Sequence, residues 1–190
     1  MKANRLRTRH KAPIAGFTLL EILVVLIIIG VLFAISAPSW NALMNRQRVG
    51  TVREQAVQVI REGQNQARTT RTRLFVVFDG DGVLTPARAA IVPLGNAPLD
   101  VSAIKNWRTL GEGEVKLGTI EFSVVNEKIL FDNKGAVDRE WIGTSAATDG
   151  ILVVKVKPRG ASVETQRCAI VDTLLGAVRL ADGTQRYCDS

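Results

Sequence analysis

The longest pattern in the chain is apolar. Over residues 17–37, 21 positions carry a single charge, Glu21. As a helix rising about 1.5 Å per residue, this run is roughly 31 Å long, enough to cross a hydrocarbon core of about 30 Å. A lone carboxylate in such a span costs about 2.5–3.5 kcal/mol at the bilayer centre, so Glu21 needs either a partner or a place among the headgroups. Pro38 follows the run directly, and inside a helix it removes a backbone bond and kinks the axis. Helical spacing then resumes. Leu43, Val49, Val52, Ala56, Val59, Ile60, Gly63 and Ala67 recur mostly three and four apart, while Arg46, Arg53, Arg61 and Arg68 fall largely off that stripe. The pattern predicts one long helix from residue 17 to about residue 70, with an apolar half over 17–37 and an amphipathic half over 38–70.

After residue 70 the apolar positions gather into short runs. Residues 73–78 read as a strand, followed by the turn cluster Asp79-Gly80-Asp81-Gly82 and by Val83-Leu84. The stretch 85–107 holds three prolines and little periodicity, and reads as a long surface loop. Val115-Lys116-Leu117, 120–125 and 129–131 predict further strands, with Asp132-Asn133-Lys134-Gly135 as a hairpin turn. Residues 151–157 end in an alternation that puts Lys155 and Lys157 on one face. Residues 168–171, 178–180 and 185–188 close the chain around a turn at Asp182-Gly183. One long helix followed by seven or eight short strands predicts an α+β fold, the amphipathic half packed on an antiparallel β-sheet head over residues 71–190.

Charge changes this picture little. The 190 residues hold 25 Lys and Arg against 18 Asp and Glu, a net of +7. Five of the cations, Lys2, Arg5, Arg7, Arg9 and Lys11, precede the apolar run; without them 20 face 18, a net of +2. The high pI is therefore weak support for nucleic-acid binding. The same five cations predict a cytoplasmic N-terminus, with the remainder across the membrane. A secretory signal peptide cut near Ala34-Ile35-Ser36 is the competing reading; against it stand the length of the run, Glu21 and Pro38. Two cysteines, Cys168 and Cys188, in a domain expected to face an oxidising compartment favour a disulfide closing about 20 residues. Free thiols or a metal pair are the alternatives, the latter disfavoured because the one histidine, His10, lies in the basic N-terminal stretch.

The junction itself is the most specific signal. A short basic stretch, then Gly16-Phe17-Thr18-Leu19-Leu20-Glu21, then an unbroken apolar run, resembles the N-terminus of type IV pilins and type II secretion pseudopilins. The resemblance implies that residues 1–16 are a leader removed after Gly16 by a prepilin peptidase, and that Phe17 becomes an N-methylated N-terminus. It also implies that Glu21 pairs with the terminal amine of a neighbouring subunit, and that 17–37 is first a membrane span and then filament core. The order of elements resembles the minor pilin and pseudopilin H branch. Pro38-Ser39-Trp40, the Phe131-Asp132-Asn133-Lys134-Gly135 stretch and the closing Cys-bounded hairpin agree with it. Implied partners are the peptidase, other pilin or pseudopilin subunits and the inner membrane, with the head in the periplasm.

Catalysis finds no foothold, since removal of the leader leaves no histidine and no glycine-rich phosphate loop is present. No cofactor is expected. Asp79-Gly80-Asp81-Gly82 starts like a calcium loop, but Val83-Leu84-Thr85-Pro86 supplies too few oxygen ligands, so the turn reading is preferred and no metal is expected. Residues 46–73 hold seven arginines against Glu54 and Glu62, a local +5, whereas 74–190 carry a net −2. This basic spine suits acidic heads of neighbouring subunits, anionic headgroups or DNA, and the first is favoured because the helix is buried among subunits in a filament. Some pilins bind DNA through a C-terminal Gly-Arg-x-Arg; the counterpart Gly176-Ala177-Val178-Arg179 lacks the first arginine, which counts against DNA. The expectation is a minor pilin-like subunit of a type IV pilus, with a type II secretion pseudopilin as the alternative and a DNA-binding pilin for natural transformation behind both.

Overall fold

The structure, a computed structural model, describes residues 16–95, 99–111, 115–138 and 152–189, and for residues 36–39, 41 and 42 only the helical backbone. The basic stretch with His10, the Pro38 side chain and Ile151 therefore lie outside the described residues. Helix α1, Leu19–Thr70, is assigned as helix throughout, Pro38 included. The chain divides into two compact units, residues 1–41 and 42–190.

In the second unit α1 leads into eight strands: β1 Leu74–Asp79, β2 Arg88–Pro93, β3 Arg108–Thr109, β4 Ile120–Val125, β5 Lys128–Phe131, β6 Leu152–Pro158, β7 Arg167–Val171 and β8 Val178–Asp182. They form two four-stranded sheets, β3-β2-β1-β5 and β4-β6-β7-β8, and every pairing is antiparallel. The described architecture is α+β.

The helix stripe explains the assembly. Val49, Val52, Ala56, Val59, Ile60 and Ala67 are buried in one core with Leu74, Val76 and Phe78 of β1, Ile129 and Phe131 of β5, and Leu152, Val154 and Val156 of β6. Strand side chains alternate, so the intervening residues serve two further cores. Phe75, Val77 and Leu130 pack under Leu99, Val101, Ile104 and Trp107. Val153, Cys168, Ile170, Ala181 and Cys188 pack together behind β6–β7. Burial on both faces is why 74–78 and 152–156 read as near-continuous apolar runs. Gly63 marks a close approach of helix and sheet: a Cβ built there would lie 2.3 Å from Val76 Cγ2.

Four sequence expectations are corrected. The stretch 85–107 is not one loop: it contains β2 and a short 3-10 turn, Val101–Ala103, capped by Asp100. Val115-Lys116-Leu117 is loop and turn, with Val115 N–H donating to the Gly111 carbonyl at 2.8 Å. Val83-Leu84 belongs to a bend in which the Asp81 carboxylate accepts backbone N–H groups of Val83, Leu84 and Thr85 at 2.8–2.9 Å. Residues 185–188 form turns, not a strand, with Cys188 N–H donating to the Gln185 carbonyl at 2.9 Å.

Candidate processing and assembly site

The helix start is built by Thr18. Residues 16–18 precede α1, and Thr18 Oγ1 accepts the Glu21 N–H at 3.2 Å while its carbonyl accepts from Glu21 and Ile22 at 3.1 and 3.3 Å. This is the N-cap arrangement, and Thr18-Leu19-Leu20-Glu21 has the spacing of a capping box, with the acid in the first turn, where it complements the helix dipole. The pattern was legible in the sequence as Thr-x-x-Glu before an apolar run, but the junction reading passed over it. Glu21 thus has a local structural reason to stand where it does, apart from any partner. Gly16 and Phe17, the residues flanking the expected cleavage point, are exposed, Phe17 at 78%.

Every described side chain over residues 16–35 is exposed in the single chain, Leu, Ile, Val and Phe included. Among the described residues no helical stretch is long and apolar enough to count as a complete membrane crossing. The described side chains of the apolar part of α1 run from Leu19 to Ile35, and those of 36–39 that would extend it lie outside the described residues.

The arginines separate into two groups. Arg46 and Arg61 are exposed. Arg68 and Arg179 are exposed as well, but they and Arg53 are bonded to groups of the head. Arg53 reaches Asp182 at 3.8 Å, Arg68 Nε donates to the Lys134 carbonyl at 2.9 Å, and Arg179 Nε meets Asp172 at 3.3 Å. Arg73 pairs with Asp138 at 2.6 Å, and Arg108 with Glu62 of α1 at 3.1 Å. Arg53, Arg68 and Arg179 are thus engaged by groups of the head itself. Two glutamines missed in the sequence do positioning work. Gln64 Nε2 donates to the Gly135 and Leu175 carbonyls, both at 2.7 Å, tying two loops to the helix. Buried Gln166 donates to the Cys188 carbonyl.

Cys168 and Cys188 are joined as a disulfide with Cα atoms 5.9 Å apart, both fully buried. Six residues before Cys188, Asp182 receives Arg167 and Arg53, so helix, β7 and β8 meet at one carboxylate. The Arg167 hydrogen bond, then the charges of Arg167 and Arg53, hold its pKa below the usual carboxylate range. The calcium-like acids are engaged otherwise. Asp79 accepts two Arg88 bonds, at 2.8 and 2.5 Å. Asp81, bonded by the Thr85 and Val83 backbone N–H groups above all, is lowered to about 2. Among the described residues no cluster of metal-ligating side chains occurs.

Residues 12–37 match the family described as the prokaryotic N-terminal methylation motif. No curated protein matches the chain in sequence. Among solved structures it is similar to the type IV minor pilin FimU of Pseudomonas aeruginosa strain PAO1. The TM-score is 0.52 at 11% identity, covering 76% of this chain and 96% of that one. A second crystal form of FimU gives 0.48 at 11% identity, with 72% and 95% covered. The chain thus shares the fold of this pilin and carries the methylation motif at residues 12–37; neither finding distinguishes a pseudopilin H branch.

Proposed function

We propose that this chain, in which an N-terminal methylation motif leads into a pilin fold, is a minor pilin-like subunit of a type IV pilus. It is made as an inner-membrane precursor, with leader 1–16 cytoplasmic, span 17–37, amphipathic helix 38–70 and head 71–190 in the periplasm. A prepilin peptidase cuts after Gly16, Phe17 is N-methylated, and the subunit joins other pilins. One observation carries the reading: the match over residues 12–37 covers the start of a helix that is exposed and apolar up to Ile35, yet is buried in a pilin-like head from Val49 onward.

The work of such a subunit is packing. Lipid tails are as apolar as leucine, so moving residues 19–35 from bilayer to filament core gains little from the hydrophobic effect. What differs between the two states is Glu21. Unpaired in lipid it is costly, and beside the terminal amine of a neighbouring Phe17 it is neutralised. Removing the carboxylate therefore leaves processing intact and removes a reason to leave the membrane. The test is Glu21→Ala, followed for both steps. The expected result is normal shortening of the precursor with loss from the sheared filament fraction. A variant that is processed normally and assembles at wild-type level would overturn the role given to Glu21.

A minor pseudopilin of a type II secretion system is the alternative. Deletion distinguishes them, since the pilus reading expects lost piliation and the secretion reading expects exoproteins retained in the periplasm. Exposed Arg46 and Arg61 are offered as contacts to acidic heads of neighbouring subunits.

A further inference from the structure

The geometry points to a role for Thr18 that rests on the processing reading above: Thr18 is the positioning residue for cleavage, starting α1 beyond the scissile Gly16–Phe17 bond and so keeping that bond outside the helix and exposed. A peptide bond is cut readily where its backbone is exposed and free of a hydrogen-bond ladder. The first carbonyl that α1 uses is that of Thr18, which accepts from Glu21 and Ile22. The Gly16 carbonyl, the one a peptidase must attack, lies two residues outside that ladder, and Phe17 beside it is exposed. The Thr18 hydroxyl holds this register through its bond from the Glu21 N–H.

Without that hydroxyl, the strongly apolar helix has a competing start. Glycine is an accepted N-cap, whereas alanine and valine are poor ones. With Thr18 replaced by Ala, Gly16 becomes the next residue able to cap, its carbonyl takes the first intrahelical bond, and the scissile bond enters the first turn. Thr18 then acts on cleavage through backbone conformation, with no contact to the peptidase required.

The test is a substitution series in the full-length precursor, in membranes containing its prepilin peptidase, with the rate of mature product as readout. Capping substitutions (Ser, Asn, Asp) and non-capping ones (Ala, and Val as the isostere) are compared with the wild type. Ala and Val are expected to slow cleavage about five-fold, the effect of losing a typical N-cap, whereas Ser, Asn and Asp cleave within about two-fold of the wild type. The rate thus follows capping rank and not side-chain volume or the presence of a hydroxyl. Val cleaving like the wild type overturns the proposal, and so do Asn and Asp cleaving as slowly as Ala, because the peptidase then reads the threonine directly. If the wild-type precursor is not cut after Gly16 at all, the processing reading itself fails, an outcome distinct from a flat series on a well-cut precursor.

Discussion

Gly63 is where helix packing and helix propensity make opposite predictions, so Gly63→Ala tests the packing of the head. By propensity alone, alanine in mid-helix is worth about 0.5–1 kcal/mol over glycine. The added Cβ, however, would lie 2.3 Å from Val76 Cγ2, where carbon atoms prefer about 3.5–4.0 Å. Val76 cannot easily retreat. It is fully buried and lies in β1, which is hydrogen-bonded on both sides, opposite Ile91 of β2 and Ile129 of β5. Overpacking of this kind costs about 1–3 kcal/mol, so the net effect is a loss of about 1–2 kcal/mol. For a domain of this size that lowers Tm by about 2–8 °C. The assay is thermal unfolding of the fragment beginning at Ala42, a compact unit by itself. Adding Val76→Ala makes room for the new methyl, so the double variant should lose less stability than the two single losses combined. A Gly63→Ala head that melts higher than the wild type, with strictly additive double-variant behaviour, would refute the close approach of α1 and β1.

Gly183→Ala is expected to lower Tm by at least as much as Gly63→Ala, because its Cβ would collide with the Val163 backbone carbonyl instead of a side chain; the same melting assay checks it. Cys168→Ser with Cys188→Ser should cost about 2–4 kcal/mol on the chain-entropy account of a 20-residue closure, and the wild-type head in reductant should melt alongside the double variant. Acid should destabilise the head as its lowered carboxylates protonate. Asp81 titrates at about 2 in the fold against 3.8 without its bonds, so its contribution is fully present above pH 3.8 and lost as pH falls through about 2. Asp81→Asn, which keeps an acceptor but cannot ionise, should flatten denaturant stability between those pH values; an unchanged slope would count against this source of acid sensitivity.

Much of the fold was legible because burial wrote itself into the pattern. Residues 74–78 are apolar throughout and 152–156 are broken only by Lys155, and both became strands covered on two faces. The three- and four-residue steps from Val49 to Ala67 marked the helix face that meets the sheets. β2 escaped notice because Arg88-Ala89-Ala90-Ile91-Val92-Pro93 pairs two alanines with flanking prolines, a composition poor in strand formers. Those alanines are both buried, so small size and not β-propensity decides them. Residues 185–188 looked like a strand but are wound in turns, with Cys188 tied to Cys168. The candidate site was partly legible. Gly16, Phe17 and Glu21 stood out by sequence, whereas the cap at Thr18 needed the hydrogen bonds at the start of α1 to show its use. Pairings such as Arg53–Asp182 and Arg68–Lys134 join residues far apart in the chain, and no local pattern encodes them.

The proposed processing rests most directly on one covalent fact: the N-terminus of the protein recovered from cells that contain its prepilin peptidase. Mass spectrometry of the intact protein and of its N-terminal peptide reads it without any assumption about filament type. The account predicts a chain beginning at Phe17 and bearing a single N-methyl group. A chain that still begins at Met1, or one cut after Ser36 in the manner of a secretory signal peptide, would contradict it.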